Sequence, residues 1–249
     1  MEWLGERVSG DTRERRFDVT RAGRTVPGVL WTPLGSGASA LVLIGHGASG
    51  HKHTDYVADV GRAFARRGMA AAAIDGPVHG DRRADHGAHP QLTFLEFCQA
   101  WSSDPSMIDS MVADWSAVLD QLLAVEKIGG PIGWWGVSMG TIIGLPFVAA
   151  DGRVGAAVLG LMGLTGPTRE RFASDAPKVA CPLLFLVQWG DEMFPRQSSF
   201  DLFDALGSED KRLYAHPGRH GELPAEAFRL SESFLARRLV ADGPGPTNP

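Results

Sequence analysis

Cysteine is scarce: two residues in 249 cannot staple a small secreted scaffold. Cys98 and Cys181 stand apart, in neither a CxxC pair nor a Cys/His metal spacing. No apolar run approaches the roughly 18 residues of a membrane-spanning helix. The first ten residues carry Glu2, Glu6 and Arg7 without a hydrophobic signal core, so no export signal is read there. These absences together predict a reduced, cytoplasmic setting. Long basic runs are also missing and the net charge is -5, which argues against nucleic acid as a partner. Neither a Walker pattern nor a Rossmann glycine fingerprint occurs, so NAD, ATP and flavin are not implied.

What is present is a chain of globular composition, 44% hydrophobic, of a length that suits one medium-sized domain. Residues 15–20 and 26–32 read as two strands joined by a turn at Arg21 to Arg24. Ala40 to Ile44, Ala70 to Ile74, Pro131 to Trp135, Ala156 to Leu159, Leu183 to Gln188 and Arg212 to Ala215 follow as further strands. Helices are expected between them. One runs from Asp55 to Arg67 with Val57, Val60 and Phe64 inward, and Gly68 stops it. Another has Asp104 as N-cap, Pro105 at its first position and a stripe of Ile108, Met111, Trp115, Val118 and Leu122. A last one begins near Pro224 with Phe228, Leu235 and Leu239 inward. Continuous apolar strands alternating with helices predict an α/β fold, a mostly parallel sheet covered on both faces.

Residues 77–103 interrupt this rhythm and read as a small lid or loop insertion in a single domain spanning 1–249. A loop of that length is expected to contain a short helix. Phe94, Phe97, Trp101 and the pair Met193–Phe194 either line an apolar acyl pocket or bury the lid against the core, and both readings stay open. Of Trp134 and Trp135, at least one is expected in the core. The Gly/Pro-rich tail, 242–249, is expected to be disordered.

Four signals carry chemistry. A strand runs into Gly136-Val137-Ser138-Met139-Gly140 and then into a helix, the setting in which glycines let a tight turn lift a serine oxygen above the sheet edge. An ordinary strand–helix turn with a capping serine is the alternative. Gly45-His46-Gly47-Ala48 ends an earlier strand, and its small residues let the Ala48 N–H join that of Met139 at a developing oxyanion. His46 there reads as a structural hydrogen-bonding residue rather than a base. Asp191, after strand 183–188, can fix a histidine tautomer, with Glu192 as its rival. His220, between Gly218 and Gly221, is placed to be general base, with His216 as its rival.

Ser138, Asp191, His220 is the chain order in which an α/β-hydrolase supplies its triad. Over residues 12–240 the sequence resembles that superfamily, and more narrowly its dienelactone-hydrolase-like esterases. The resemblance implies a serine-type acyl enzyme, with Ser138, Asp191 and His220 catalytic and Ala48 and Met139 at the oxyanion. Asp75-Gly76-Pro77-Val78-His79-Gly80 resembles a further loop of the family. Dienelactone hydrolases proper usually carry a cysteine nucleophile, so Ser138 points to general carboxylesterase chemistry on small or medium esters. A thioesterase would use the same machinery, and a non-catalytic binding protein could keep the same fold.

Histidines at 46, 51, 53, 79, 86 and 89 raise a metal reading, with Asp75 and Asp81 as further ligands. No HExxH or coupled Cys/His pattern supports it, and serine chemistry requires none, so neither cofactor nor metal is expected. The expected partner is a small-molecule ester. A homodimer is compatible with the sequence.

Overall fold

Nine strands form one sheet in a computed structural model that describes residues 1–35, 37–85, 89–126 and 128–240. They are β1 (Glu2–Ser9), β2 (Thr12–Arg21), β3 (Arg24–Pro33), β4 (Leu41–Gly45), β5 (Ala70–Ile74), β6 (Ile132–Gly136), β7 (Val154–Gly160), β8 (Leu183–Gln188) and β9 (Lys211–His216). Their order across the sheet is β1-β2-β3-β5-β4-β6-β7-β8-β9. The β1–β2, β2–β3 and β3–β5 pairs are antiparallel, and every pair from β5 to β9 is parallel.

The inner parallel strands β4, β5 and β6 are buried at every step because both faces are covered, whereas the edge strand β9 carries Lys211, Arg212 and His216. Successive side chains go to opposite cores. Leu41 and Leu43, Ile132 and Trp134, and Leu183, Phe185 and Val187 enter one core. Val42 and Ile44, Trp135, and Leu184 and Leu186 enter the other. Helices α3 (Ser106–Val125) and α4 (Met139–Ala150) pack on the first face, beside α2 (Pro90–Ser103), α5 (Arg169–Asp175) and α6 (Arg196–Ala205). Helices α1 (Asp55–Arg66) and α7 (Ala225–Leu239) pack on the second.

Most expected elements lie within a residue or two of their predicted bounds. The α3 stripe of Ile108, Met111, Trp115, Val118 and Leu122 is buried throughout. Its start moves one residue: Asp104 still accepts the Ser106 N–H at 3.0 Å, while Pro105 takes the cap position. Strand β1 was not foreseen. All but one of its residues are exposed, and its pairing with β2 slips between Trp3 and Gly5, so it carries no apolar alternation to read. The irregular stretch 77–103 holds a full 14-residue helix, α2, rather than a short one. The expected tail, 242–249, and His86 lie outside the described residues. Among those residues no helix is long and apolar enough to cross a membrane.

Candidate active site

The parallel strands β4, β6, β7 and β8 deliver the functional loops to one edge of the sheet. Strand β6 ends at Gly136 and α4 begins at Met139, with only Val137 and Ser138 between them, so Ser138 must reverse the chain almost alone. It does so at φ 58, ψ -121, a region costly for a residue with a side chain. The flanking glycines are required by contact. A Cβ on Gly140 would lie 2.4 Å from the Gly45 carbonyl oxygen of β4, and one on Gly136 would lie 2.8 Å from the Gly140 oxygen. The turn is pinned from below. The Ser138 N–H donates to the Gly160 carbonyl at 2.9 Å, and the Thr141 hydroxyl accepts the Gly160 N–H at 2.8 Å. Thr141 is fully buried and was not singled out in the sequence, where one threonine in an apolar helix carries no special signal.

Above this turn, Ser138, His220 and Asp191 come together. Ser138 Oγ lies 2.9 Å from His220 Nε2, and His220 Nδ1 lies 2.8 Å from Asp191 Oδ2. An ionised carboxylate only accepts, so the Nδ1 edge carries the proton and Nε2 is left to accept from the serine. The other Asp191 oxygen accepts the Met193 N–H at 2.8 Å and the Phe194 N–H at 3.1 Å. Burial pushes the Asp191 carboxyl up. The hydrogen bond and charge of His220 and the two backbone donors outweigh it, holding the group below its ordinary value.

The rivals do other work. Glu192 accepts the His220 backbone N–H at 3.0 Å and pairs with Arg219 at 3.3 Å. That bond to the His220 amide holds its carboxyl below the usual range. His216, at the end of β9, is turned onto Gln188, with Nδ1 3.2 Å from Oε1. The Gln188 amide donates onward to the Arg219 carbonyl at 2.9 Å, so a buried glutamine supports the loop that presents His220.

The turn after β4 is held by several hydrogen bonds. The Gly47 N–H donates to the Tyr56 hydroxyl at 2.6 Å. The Gly47 carbonyl accepts from His46 Nδ1 at 2.8 Å and from the Gly50 N–H at 3.0 Å. The Ala48 carbonyl lies 2.8 Å from His79 Nε2. His46 Nε2 accepts the Gly76 N–H at 2.9 Å, which settles its tautomer: Nδ1 is the protonated nitrogen. Among the described residues the N–H groups of Ala48 and Met139 have no hydrogen-bond partner. In a planar trans peptide the carbonyl and the N–H point opposite ways, so His46, holding the Gly47 carbonyl, turns the Ala48 N–H away from itself. Burial, then the neighbouring His79, pushes the His46 imidazole well below its ordinary value. Burial likewise pushes His79 down to about 4. Both are neutral hydrogen-bonding groups at neutral pH.

The residues raised for a metal do not converge. His53 Nε2 lies 2.7 Å from Glu14, and Asp75 is bound to Lys52 Nζ at 2.6 Å and the Lys52 N–H at 2.9 Å. Lys52 also reaches Asp81 at 2.7 Å, while His89 sits at the start of α2. No group of three metal-binding side chains forms among the described residues.

A cavity of about 470 Å³ opens over Ser138 and His220, walled by Tyr56, Phe94, Trp135, Leu161, Met193 and Phe228. This divides the aromatic cluster that the sequence left open. Phe94 and Met193 face the cavity. Phe97 is buried, and Trp101 stacks on it at 6.2 Å, so these two fasten α2 to the core. Trp134 is wholly in the first core, whereas Trp135 belongs to the second and reaches the cavity. Leu161 adopts φ 49, an uncommon conformation for a branched side chain, at the cavity wall.

No protein-family model matches this sequence, nor does any curated protein. Among solved structures, the chain is similar to a cold-adapted esterase from an Arctic intertidal metagenomic library. Its PEG-bound form is 40% identical over 96% of this chain and 100% of that one, with a TM-score of 0.86. Its zinc-bound form matches over the same shares at 37% identity and a TM-score of 0.81. A dienelactone hydrolase from Anabaena variabilis is 18% identical over 92% of this chain and 100% of that one, with a TM-score of 0.69, and shares the fold.

Proposed function

We propose, from the premise that this chain belongs to the esterases of the α/β-hydrolase superfamily, that it hydrolyses small or medium carboxylic esters through an acyl enzyme on Ser138. The observation that carries this reading is the unbroken line Asp191–His220–Ser138, at 2.8 and 2.9 Å, at the floor of an apolar cavity.

The chemistry follows from that line. His220 Nε2 takes the serine proton as Oγ attacks the ester carbonyl, and Asp191 stabilises the imidazolium and holds the ring in its productive tautomer. The carbonyl oxygen becomes an oxyanion. The free N–H of Ala48 and that of Met139, at the positive end of α4, are the donors assigned to it. Collapse expels the leaving alkoxide, which takes the proton from His220. Water then attacks the acyl enzyme with the same base and donors, releasing the acid and restoring Ser138. The catalytic set is therefore Ser138, His220 and Asp191, with Ala48 and Met139 as oxyanion donors, in one domain. Residues 77–103 contribute Phe94 to the cavity and so bear on acyl preference. The free thiols of Cys98 and Cys181 suit a reducing, cytoplasmic setting.

The test is a chromogenic acetyl ester turned over by wild type and by folded Ser138→Ala, with fluorophosphonate labelling of both. Loss of turnover and of label in the variant is the expected result. Labelling that persists in Ser138→Ala would overturn the assignment. A chelator in the same assay is expected to leave the wild-type rate unchanged, and a loss restored by one added ion would overturn the metal-free route.

A further inference from the structure

A second hollow adjoins the cavity over Ser138. It measures about 180 Å³ and is lined by residues of α1 and α7 together with Trp135. The two hollows have three walls in common, Tyr56, Trp135 and Phe228. These rings pack on one another: Phe228 lies against Trp135 at 5.8 Å and 26°, and Tyr56 lies 6.4 Å from Trp135. Beyond them the second hollow is lined by Val60, Ala63 and Phe64 of α1, and by Asp59 and Glu232, whose carboxylates pair with Arg62 and Arg67. The acyl-transfer machinery uses none of these α1 side chains.

The walls differ in how firmly they are held. Tyr56 is tied at its hydroxyl to the Gly47 N–H, and Trp135 is buried at the end of β6. Phe228 is half-buried on α7, and a phenyl ring has no polar tether to restrain it. The junction between the hollows is thus one ring anchored by a hydrogen bond, one buried ring and one ring held by stacking alone. Every side chain at the junction presents apolar surface, which an alkyl or aryl tail gains by covering.

We infer that the hollow between α1 and α7 is the far subsite for the apolar tail of the substrate, so that the ester runs from Ser138 past Tyr56, Trp135 and Phe228 to end against Val60, Ala63 and Phe64. The substrate class is then esters with an extended alkyl or aryl tail. This rests on the esterase reading and adds to it the path of the tail.

The experiment compares kcat/KM for an octyl-length tail with kcat/KM for a minimal acetyl ester, in wild type and two variants. Ala63→Phe fills the far hollow from α1. Phe228→Ala widens the junction. Two substrate series, one varying the acyl chain and one varying the alcohol, show which end of the ester occupies the subsite. In one of the series, the long-to-short ratio is expected to fall about tenfold in Ala63→Phe, the lower range for lost contacts in an apolar pocket. It is expected to rise in Phe228→Ala. A ratio unmoved by Ala63→Phe in both series, or equal losses on long and short esters in the folded variant, would overturn the inference. Should Ala63→Phe fail to fold, an unchanged or lowered ratio in Phe228→Ala would overturn it. If wild type does not turn over the acetyl ester at all, the esterase reading fails instead, which separates the two results.

Discussion

His46 and His79 meet edge to face, their ring centroids 4.9 Å apart, and each holds one carbonyl of the turn that carries Ala48. One ring comes from the turn itself and the other from the segment after β5. The pair therefore makes the aim of a single N–H depend on two loops distant in the chain.

The first consequence concerns His46. Replacing it with alanine removes one of the two donors to the Gly47 carbonyl and leaves the buried Gly76 N–H without its acceptor. The donor at Ala48 remains but is no longer aimed. We expect kcat to fall on the order of tenfold to a hundredfold, less than the roughly 10²–10³ that follows outright loss of an oxyanion donor. KM and fluorophosphonate labelling should change little. Steady-state kinetics and labelling of the folded variant check this, and an unchanged kcat would count against the clamp.

Acid should loosen the same structure. An unfolded histidine takes a proton near 6.5, whereas buried His79 resists it until about 4. Its Nδ1 has no partner among the described residues, so a proton gained there has no acceptor. Between these values the unfolded state binds more protons, so stability falls as pH drops through that window and is regained as pH rises to 6.5. The contribution reaches roughly 3 kcal/mol at the acid end. His46 acts in the same direction. Asp191, held below the ordinary carboxylate value, loses its contribution only at more acid pH. Urea unfolding from pH 4 to 7 should show a shallower slope in His79→Gln, which keeps a donor for the Ala48 carbonyl but does not titrate. Identical slopes would rule His79 out as the source.

The rival acids and bases separate cleanly. Asp191→Asn should lose activity on the order of 10⁴-fold, as in a serine protease triad with the same change, and His220→Ala should be nearly inactive. His216→Ala should retain most activity, because His216 faces Gln188 rather than Ser138. Glu192→Gln should also remain active, since an amide oxygen can still accept the His220 N–H, while Glu192→Ala should lose more. Measuring kcat/KM for the five folded variants on one minimal ester decides the matter. A crippled Glu192→Gln or His216→Ala would refute the assignment.

On α2, two aromatic residues seven positions apart should behave differently. Phe94 faces the cavity, so Phe94→Ala is expected to reorder the preference among ester chain lengths. Trp101 stacks on buried Phe97, so Trp101→Ala should lower the unfolding midpoint and leave that order intact. The truncation should cost about 3 kcal/mol or less, because Trp101 is only partly buried. Denaturation and a chain-length series on both variants test this. A reordered preference in Trp101→Ala alone would reverse the roles.

The sequence by itself determined the layers and the tight turn at Ser138. Unbroken apolar strands such as Leu41–Gly45 and Ala70–Ile74 require cover on both faces, and glycines about Ser138 require a tight strand-to-helix turn. These are legible because burial and local sterics repeat at the period of the backbone. Strand β1 escaped because an exposed edge strand carries no such period. Only the tertiary structure shows that Asp191 rather than Glu192 meets the His220 ring, that His220 rather than His216 meets Ser138, and that Phe94 rather than Trp101 lines the cavity. Each choice depends on where a side chain meets a residue remote in the chain: His220 meets Ser138 across 82 positions, and His216 meets Gln188 across 28. Neighbours in sequence share composition and local propensity, and differ only in the direction that packing and long-range hydrogen bonds impose on them.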